Sequence, residues 1–154
     1  PEKGVESLEE ALVEAEKSPR SLVWIETDQL APPWRINPKI FREYAEDSGG
    51  LTEDSDPMEN LIPWPNPSSK IGTPLNDLER HRLRVSYASV VSAWDNEFAS
   101  ALELLRERGW DQQALYMVAG ANGLDLGEQG AYLGVALNEP SVHIPFFFRE
   151  PSIS

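Results

Sequence analysis

The chain has 154 residues, enough for one domain with a sizeable core, and its hydrophobic (40%) and charged (25%) fractions are those of a globular protein. A net charge of -13 opposes phosphate backbones and anionic membranes, so the expectation is a protein that meets neither nucleic acid nor a membrane surface. The absence of cysteine removes disulfides, thiolate metal sites and cysteine nucleophiles, and two histidines, His81 and His143, leave little material for imidazole zinc chemistry.

Residues 1–10 are acidic, without the basic start and apolar run of a signal peptide, and no apolar run reaches the ~20 residues of a membrane-spanning helix. Residues 6–17 predict a first helix, with Leu8, Leu12 and Ala15 on one face and a capping box from Ser7 to Glu10. Ser18-Pro19 stops it. The run SLVWIET, residues 21–27, predicts a buried strand that ends in a loop with Asp28, Pro32, Pro33 and Trp34. A short amphipathic helix follows over 38–46, started by Pro38 and carrying Ile40, Phe41, Tyr44 and Ala45.

From 47 to 76 the composition turns to acids, Gly, Ser and proline, which predicts an irregular surface insertion or lid. Residues 75–108 then carry Leu83, Tyr87, Val91, Trp94, Phe98, Leu102 and Leu105 at three- and four-residue steps. The expectation is one long helix across a sheet, with Ser86, Ser89, Asn96, Glu103 and Arg106 on its outer face and Gly109 closing it. Residues 114–119 predict a central strand, and 142–148 a second buried strand with Pro145 near its start. Helices alternating with apolar strands point to an α/β fold with a layered sheet and flanking helices, in a single domain over 1–154 interrupted at about 47–76.

The chemistry is concentrated in ALYMVAGANGLDLGEQG, residues 114–130. Ligands gather beyond the carboxyl ends of strands in parallel sheets, so the crevice after Ala119 is the place to look, with Asn122, Asp125, Glu128 and Gln129 there and Asp28 at the end of the first strand. Asn122 before Gly123 reads as a turn residue tolerant of a left-handed backbone or as a metal ligand. Asp125 and Glu128 read as solvated loop acids or as cation ligands, and Asp28 as a cap of the Pro-Pro turn or a site acid. His143 reads as a packed or hydrogen-bonded strand residue, and His81 with Arg80, Arg82 and Arg84 as a charged helix surface. Trp24, Trp34, Trp64 and Trp94 read as core and lid anchors, with Trp34 and Trp64, being in loops, open to a sugar-stacking role as well.

The order helix, strand, small-residue turn, Gly127-Glu128-Gln129-Gly130, then Val142-His143-Ile144-Pro145 and an apolar strand closing on Arg149-Glu150-Pro151 resembles the C-terminal part of the catalytic domain of sulfatases, in the alkaline-phosphatase superfamily. The likeness runs continuously over 87–151, including Trp94-Asp95-Asn96-Glu97-Phe98, and more loosely over 22–44. The resemblance implies a metal-dependent hydrolase of sulfate or phosphate esters. Its divalent cation, commonly calcium, takes six or more oxygen ligands.

It also implies what is missing. Where the family has Ser-Asp-His-Gly or Ser-Asp-Asn-Gly, this chain has Gly120-Ala121-Asn122-Gly123, so the metal-binding Asp is replaced by Ala121 and Asn122 alone survives as a ligand. Gln129 stands where the family has histidine, the family's lysine falls near Gly134, and its Tyr-Glu pair is Asn138-Glu139. The loop after the first strand has no histidine, and the resemblance brings no nucleophile motif with it: the one Ser followed directly by Pro and Arg, Ser18-Pro19-Arg20, stands where the first helix stops. Without the Asp a calcium site loses a full negative charge, and without Lys or His nothing stabilises the transferred group. The expectation is a sulfatase-like domain without ester hydrolysis on its own, serving as a binding or structural module. The alternative is one part of an active hydrolase completed by a further segment or partner. Either way the exposed sheet edges of a partial fold predict a protein partner or self-association.

Overall fold

The computed structural model describes residues 2–47, 61–130, 132 and 139–151. It is a mixed helix and strand structure: α1 (Glu2–Ala15), α2 (Pro38–Asp47), α3 (Asp77–Glu107), β1 (Tyr116–Ala119), the one-turn α4 (Glu139–Val142) and β2 (Phe146–Arg149), with 3-10 turns at Pro67–Lys70 and Trp110–Gln112.

The 31-residue α3 is the spine. At ~1.5 Å per residue it runs roughly 46 Å. Asn76 caps it by accepting from the Glu79 N–H at 2.8 Å while Glu79 accepts from the Asn76 N–H at 3.0 Å, a reciprocal box that satisfies two terminal donors. Lys70 lies 2.7 Å from Glu79 and is the main reason, with the Asn76 N–H, that the Glu79 carboxyl is held below its ordinary value. At the other end Arg108 is the C-cap and Gly109 follows with φ of 73°, the left-handed turn that glycine takes without cost.

Helix α1 buries Leu8, Leu12 and Ala15, the face its spacing predicts. It starts at Glu2, so Ser7 lies inside the helix and not at its cap; Gly4 before it is too weak a breaker to delay the start. Arg108 ties α1 to the end of α3, donating to Glu9 at 2.9 Å and Glu16 at 3.3 Å. Helix α2 packs along α3 through buried Phe41, and the Tyr44 hydroxyl meets Ser92 Oγ at 2.7 Å.

The core centres on Trp34, Leu75, Leu83, Val90 and Tyr132, with Leu30, Ile36, Trp64, Tyr87, Leu124 and Leu126 around it. Trp34 is fixed three ways: its ring lies 5.4 Å from Tyr87, its indole N–H donates to Leu30 O at 3.0 Å, and its backbone N–H to Pro65 O at 2.7 Å. Loop tryptophans 34 and 64 are therefore core anchors. The irregular segment 61–76 is a lining of this core rather than a loose lid: Pro67 is buried, and Arg82 lies 5.2 Å over the Trp64 ring while donating to Pro63 O at 3.1 Å. Residues 48–60 of the expected insertion lie outside the described residues.

Four sequence expectations are overturned. Ser86 and Ser89 do not face solvent; both are fully buried at 0% exposure, because α2 and segment 61–76 cover that side of α3. Their hydroxyls are bonded internally, Ser86 Oγ accepting from the Trp64 N–H at 2.9 Å and Ser89 Oγ donating to Ser86 O at 2.7 Å. Secondly, α3 packs mainly against α2 and α1 instead of across a sheet. Thirdly, residues 21–27 form no strand, and Leu22 (85%) and Trp24 (76%) stand in solvent. A run rich in β-formers becomes a strand only when another strand accepts its hydrogen bonds, and none among the described residues does.

Lastly, the predicted second strand is shifted and exposed. β2 starts at Phe146, after α4, and pairs antiparallel with β1 in the register Tyr116–Arg149, Met117–Phe148, Val118–Phe147, Ala119–Phe146. The two strands form a two-stranded sheet, and Phe146, Phe147 and Phe148 are all exposed. No helix among the described residues is long and apolar enough to cross a membrane.

Candidate functional site

The site begins where β1 ends. Gly120 donates its N–H to Pro145 O at 2.9 Å, and a Cβ on it would stand 3.0 Å from Pro145 Cδ, so the chain leaves the strand pressed against the approach to β2. Gly123 is held tighter still: its N–H donates to Ser141 O at 3.0 Å, and a Cβ there would lie 1.9 Å from Pro140 O. Only glycine fits. Between them Asn122 is exposed, its carboxamide nitrogen donating to Gly123 O at 3.0 Å.

Leu124 and Leu126 then turn into the core and carry Asp125 with them to 0% exposure. The buried carboxylate closes an Asx turn, its Oδ1 accepting from the N–H of Gly127 at 2.9 Å and of Glu128 at 3.1 Å. Glu128 folds back, Oε2 accepting from the Leu126 N–H at 2.6 Å and Oε1 lying 3.8 Å from Arg84. Gly127 (φ 90°) packs under the Arg80 side chain, since a Cβ would meet Arg80 Cγ at 3.1 Å. Arg80 in turn donates to Leu75 O at 2.8 Å and pairs with Asp77. Gly130 O accepts from the Leu75 N–H at 2.9 Å, which sews this loop to the entry of α3.

The arrangement thus brings Asp125 and Glu128 together as turn-forming acids whose oxygens face backbone donors. Gln129 is exposed at the same loop. Asp28 is elsewhere: it is exposed, its carbonyl accepts from the Ala31 N–H at 2.8 Å, and the adjacent Gln29 donates to Glu97 at 2.7 Å. Glu97 and Arg84 are thirteen positions apart on α3, roughly 20 Å of helix, so Asp28 and Glu128 attach to different stretches of it. Among the described residues no three His, Asp or Glu side chains gather where a metal ion would be held.

His143 is not inside a strand; it follows α4, its exposed ring 3.7 Å from Glu139 and its backbone N–H donating to Glu139 O at 2.8 Å. Sequence reasoning read Arg80, Arg82 and Arg84 as a charged surface and missed that Gly127 packs against the Arg80 side chain and that Arg84 lies 3.8 Å from Glu128. The signal was present in the four-residue spacing of Arg80 and Arg84, which puts both on one face of α3. Compared with protein-family models, curated proteins and solved structures, the chain matches none of them.

Proposed function

We propose that the chain is a sulfatase-like binding or structural module that does not hydrolyse esters on its own. The observation that carries this reading is the β1–β2 ribbon. Successive side chains of a strand point to opposite faces, so Phe147 faces away from Phe146 and Phe148, and all three are exposed. A strand apolar on both faces belongs to the interior of a larger sheet covered on both sides. A two-stranded ribbon is marginal in water by itself. Exposed Leu22, Trp24 and Ile25 form a second apolar surface. The natural occupant of both is further sheet structure from a protein partner.

Loss of the Asp at Ala121, with Asp125 and Glu128 spent on turns, supports a scaffold rather than a calcium-dependent hydrolase. One feature favours the alternative of a partial active hydrolase: Asn122 remains exposed at a strand end, open to groups from a completing segment. Thermal unfolding with and without millimolar calcium, magnesium and manganese, beside turnover of an aryl sulfate and an aryl phosphate, tests the module reading. A ligand at 100 times its Kd adds about 2.7 kcal/mol. No metal-dependent shift and no turnover is the expected result; a shift with turnover overturns the module reading.

A further inference from the structure

Asn122 is the one asparagine of seven that precedes glycine; the others precede Pro, Leu, Asp or Glu. A following residue without a Cβ leaves its backbone nitrogen open to approach. That nitrogen can attack the asparagine carboxamide carbon. The new C–N bond closes a succinimide, the carboxamide C–N bond breaks, and the nitrogen leaves as ammonia with the displaced amide proton. Water then adds to either imide carbonyl, giving aspartate or isoaspartate. No oxidant or reductant enters, and water is the only co-reactant.

The geometry around this pair is specific. Asn122 is exposed, and its carboxamide lies over Gly123, donating to Gly123 O at 3.0 Å. The nucleophile itself is engaged: the Gly123 N–H donates to Ser141 O at 3.0 Å, inside α4. The glycine cannot be exchanged for a less reactive neighbour, because a Cβ would sit 1.9 Å from Pro140 O. Packing therefore obliges the chain to keep a reactive step and at the same time restrains it. The restraint is a single turn of helix whose Glu139 and Val142 are exposed, an element that opens locally at low cost.

We propose that Asn122 is a self-deamidation site, and that release of α4 from Gly123 sets its rate. The product places a carboxylate at position 122, at the mouth of β1. Its isoaspartate form lengthens the backbone by one methylene against Pro140 and Ser141, where there is no room, so modification also detaches α4. This holds whether or not the module reading above is right.

The test is incubation of the protein at mildly alkaline pH with peptide mapping by mass spectrometry and enzymatic isoaspartate labelling, in buffer and in urea. Conversion at Asn122 is expected to exceed that at each of the six other asparagines by about tenfold or more, a barrier difference of about 1.4 kcal/mol, and to rise by at least about tenfold again in urea. N122Q abolishes the labelling, and P140G speeds it in buffer at an unchanged unfolding midpoint. Conversion no faster than at the other asparagines overturns the site. Equal rates in buffer and urea overturn the restraint by α4, and the urea arm decides this even if P140G does not fold.

Discussion

The backbone N–H of Trp64 donates to Ser86 Oγ at 2.9 Å, joining the proline-rich segment to the fully buried face of α3. The donor comes from a stretch where prolines prevent regular pairing, and the acceptor is a side chain that periodicity alone assigns to solvent. A small hydroxyl residue lets the segment approach the helix closely and satisfies a backbone group that would otherwise be orphaned. S86A removes that acceptor and should destabilise by about 1–3 kcal/mol in urea unfolding, the cost of an unpaired amide. A loss below about 0.5 kcal/mol, the usual range for surface substitutions, would show that the segment does not depend on this bond.

Two glycines should respond differently to alanine. G123A forces a methyl into Pro140 O and should cost about 1–3 kcal/mol, with amide exchange at α4 rising first. G109A meets no atom within 4 Å and pays only for its φ of 73°, about 1–2 kcal/mol, with α4 undisturbed. Hydrogen exchange resolved by residue distinguishes the two; equal protection at α4 in both variants would contradict the packing argument.

Tyr132 links pH to stability. Burial first, then the nearby Tyr87, lifts its phenol from 10.0 to about 12. Below pH 10 both folded and unfolded chains keep the proton. Between about pH 10 and about pH 12 the unfolded chain ionises while the folded one does not, so stability falls as pH rises through that window. Burial also raises the phenols of Tyr87 and Tyr116, which steepens the loss. The Tyr132 hydroxyl has no hydrogen-bond partner among the described residues. Y132F should therefore be neutral or stabilising near neutrality and should lose less stability on going to alkaline pH. Urea midpoints across this range check it; an unchanged alkaline slope would remove Tyr132 from the account.

F147D tests the ribbon. Because Phe147 is 65% exposed, the substitution should change the unfolding free energy by no more than about 0.5 kcal/mol. It should nevertheless reduce self-association in sedimentation and the binding of an apolar dye, since it places a charge on the surface proposed to meet a partner. A large loss of stability would mean that Phe147 is buried within the isolated chain.

Much of the helical part was legible in the sequence. Pro38 at a first turn, Gly109 after α3 and the three- and four-residue steps that mark α3 as a helix are local signals, read from neighbours within one or two turns. The stripe as a whole is not the buried one: Val91 and Leu102 are exposed while Val85 and Val90 are buried. The antiparallel partnership of β1 with β2 and the exposure of their phenylalanines were not, because strand pairing is set by residues about thirty positions apart and apolar content predicts burial only if something is there to cover it. In the site, the end of β1 at Ala119, just before the glycines, was readable. That Asp125 is buried and closes a turn was not, because acidic composition suggests solvent and only Leu124 and Leu126 entering the core carry it inward.

Sequence by itself determined the charge, the absence of thiol chemistry, helices α1 to α3 and the glycine-punctuated stretch after β1, since each depends on residue identity or on spacing within a helix turn. Tertiary structure alone decided which face of α3 is buried, which loop comes to lie against Arg80 and Arg84, and that Asp28 stands apart from Glu128. Those are outcomes of competition among distant segments for the same surface, and no local pattern encodes who wins it.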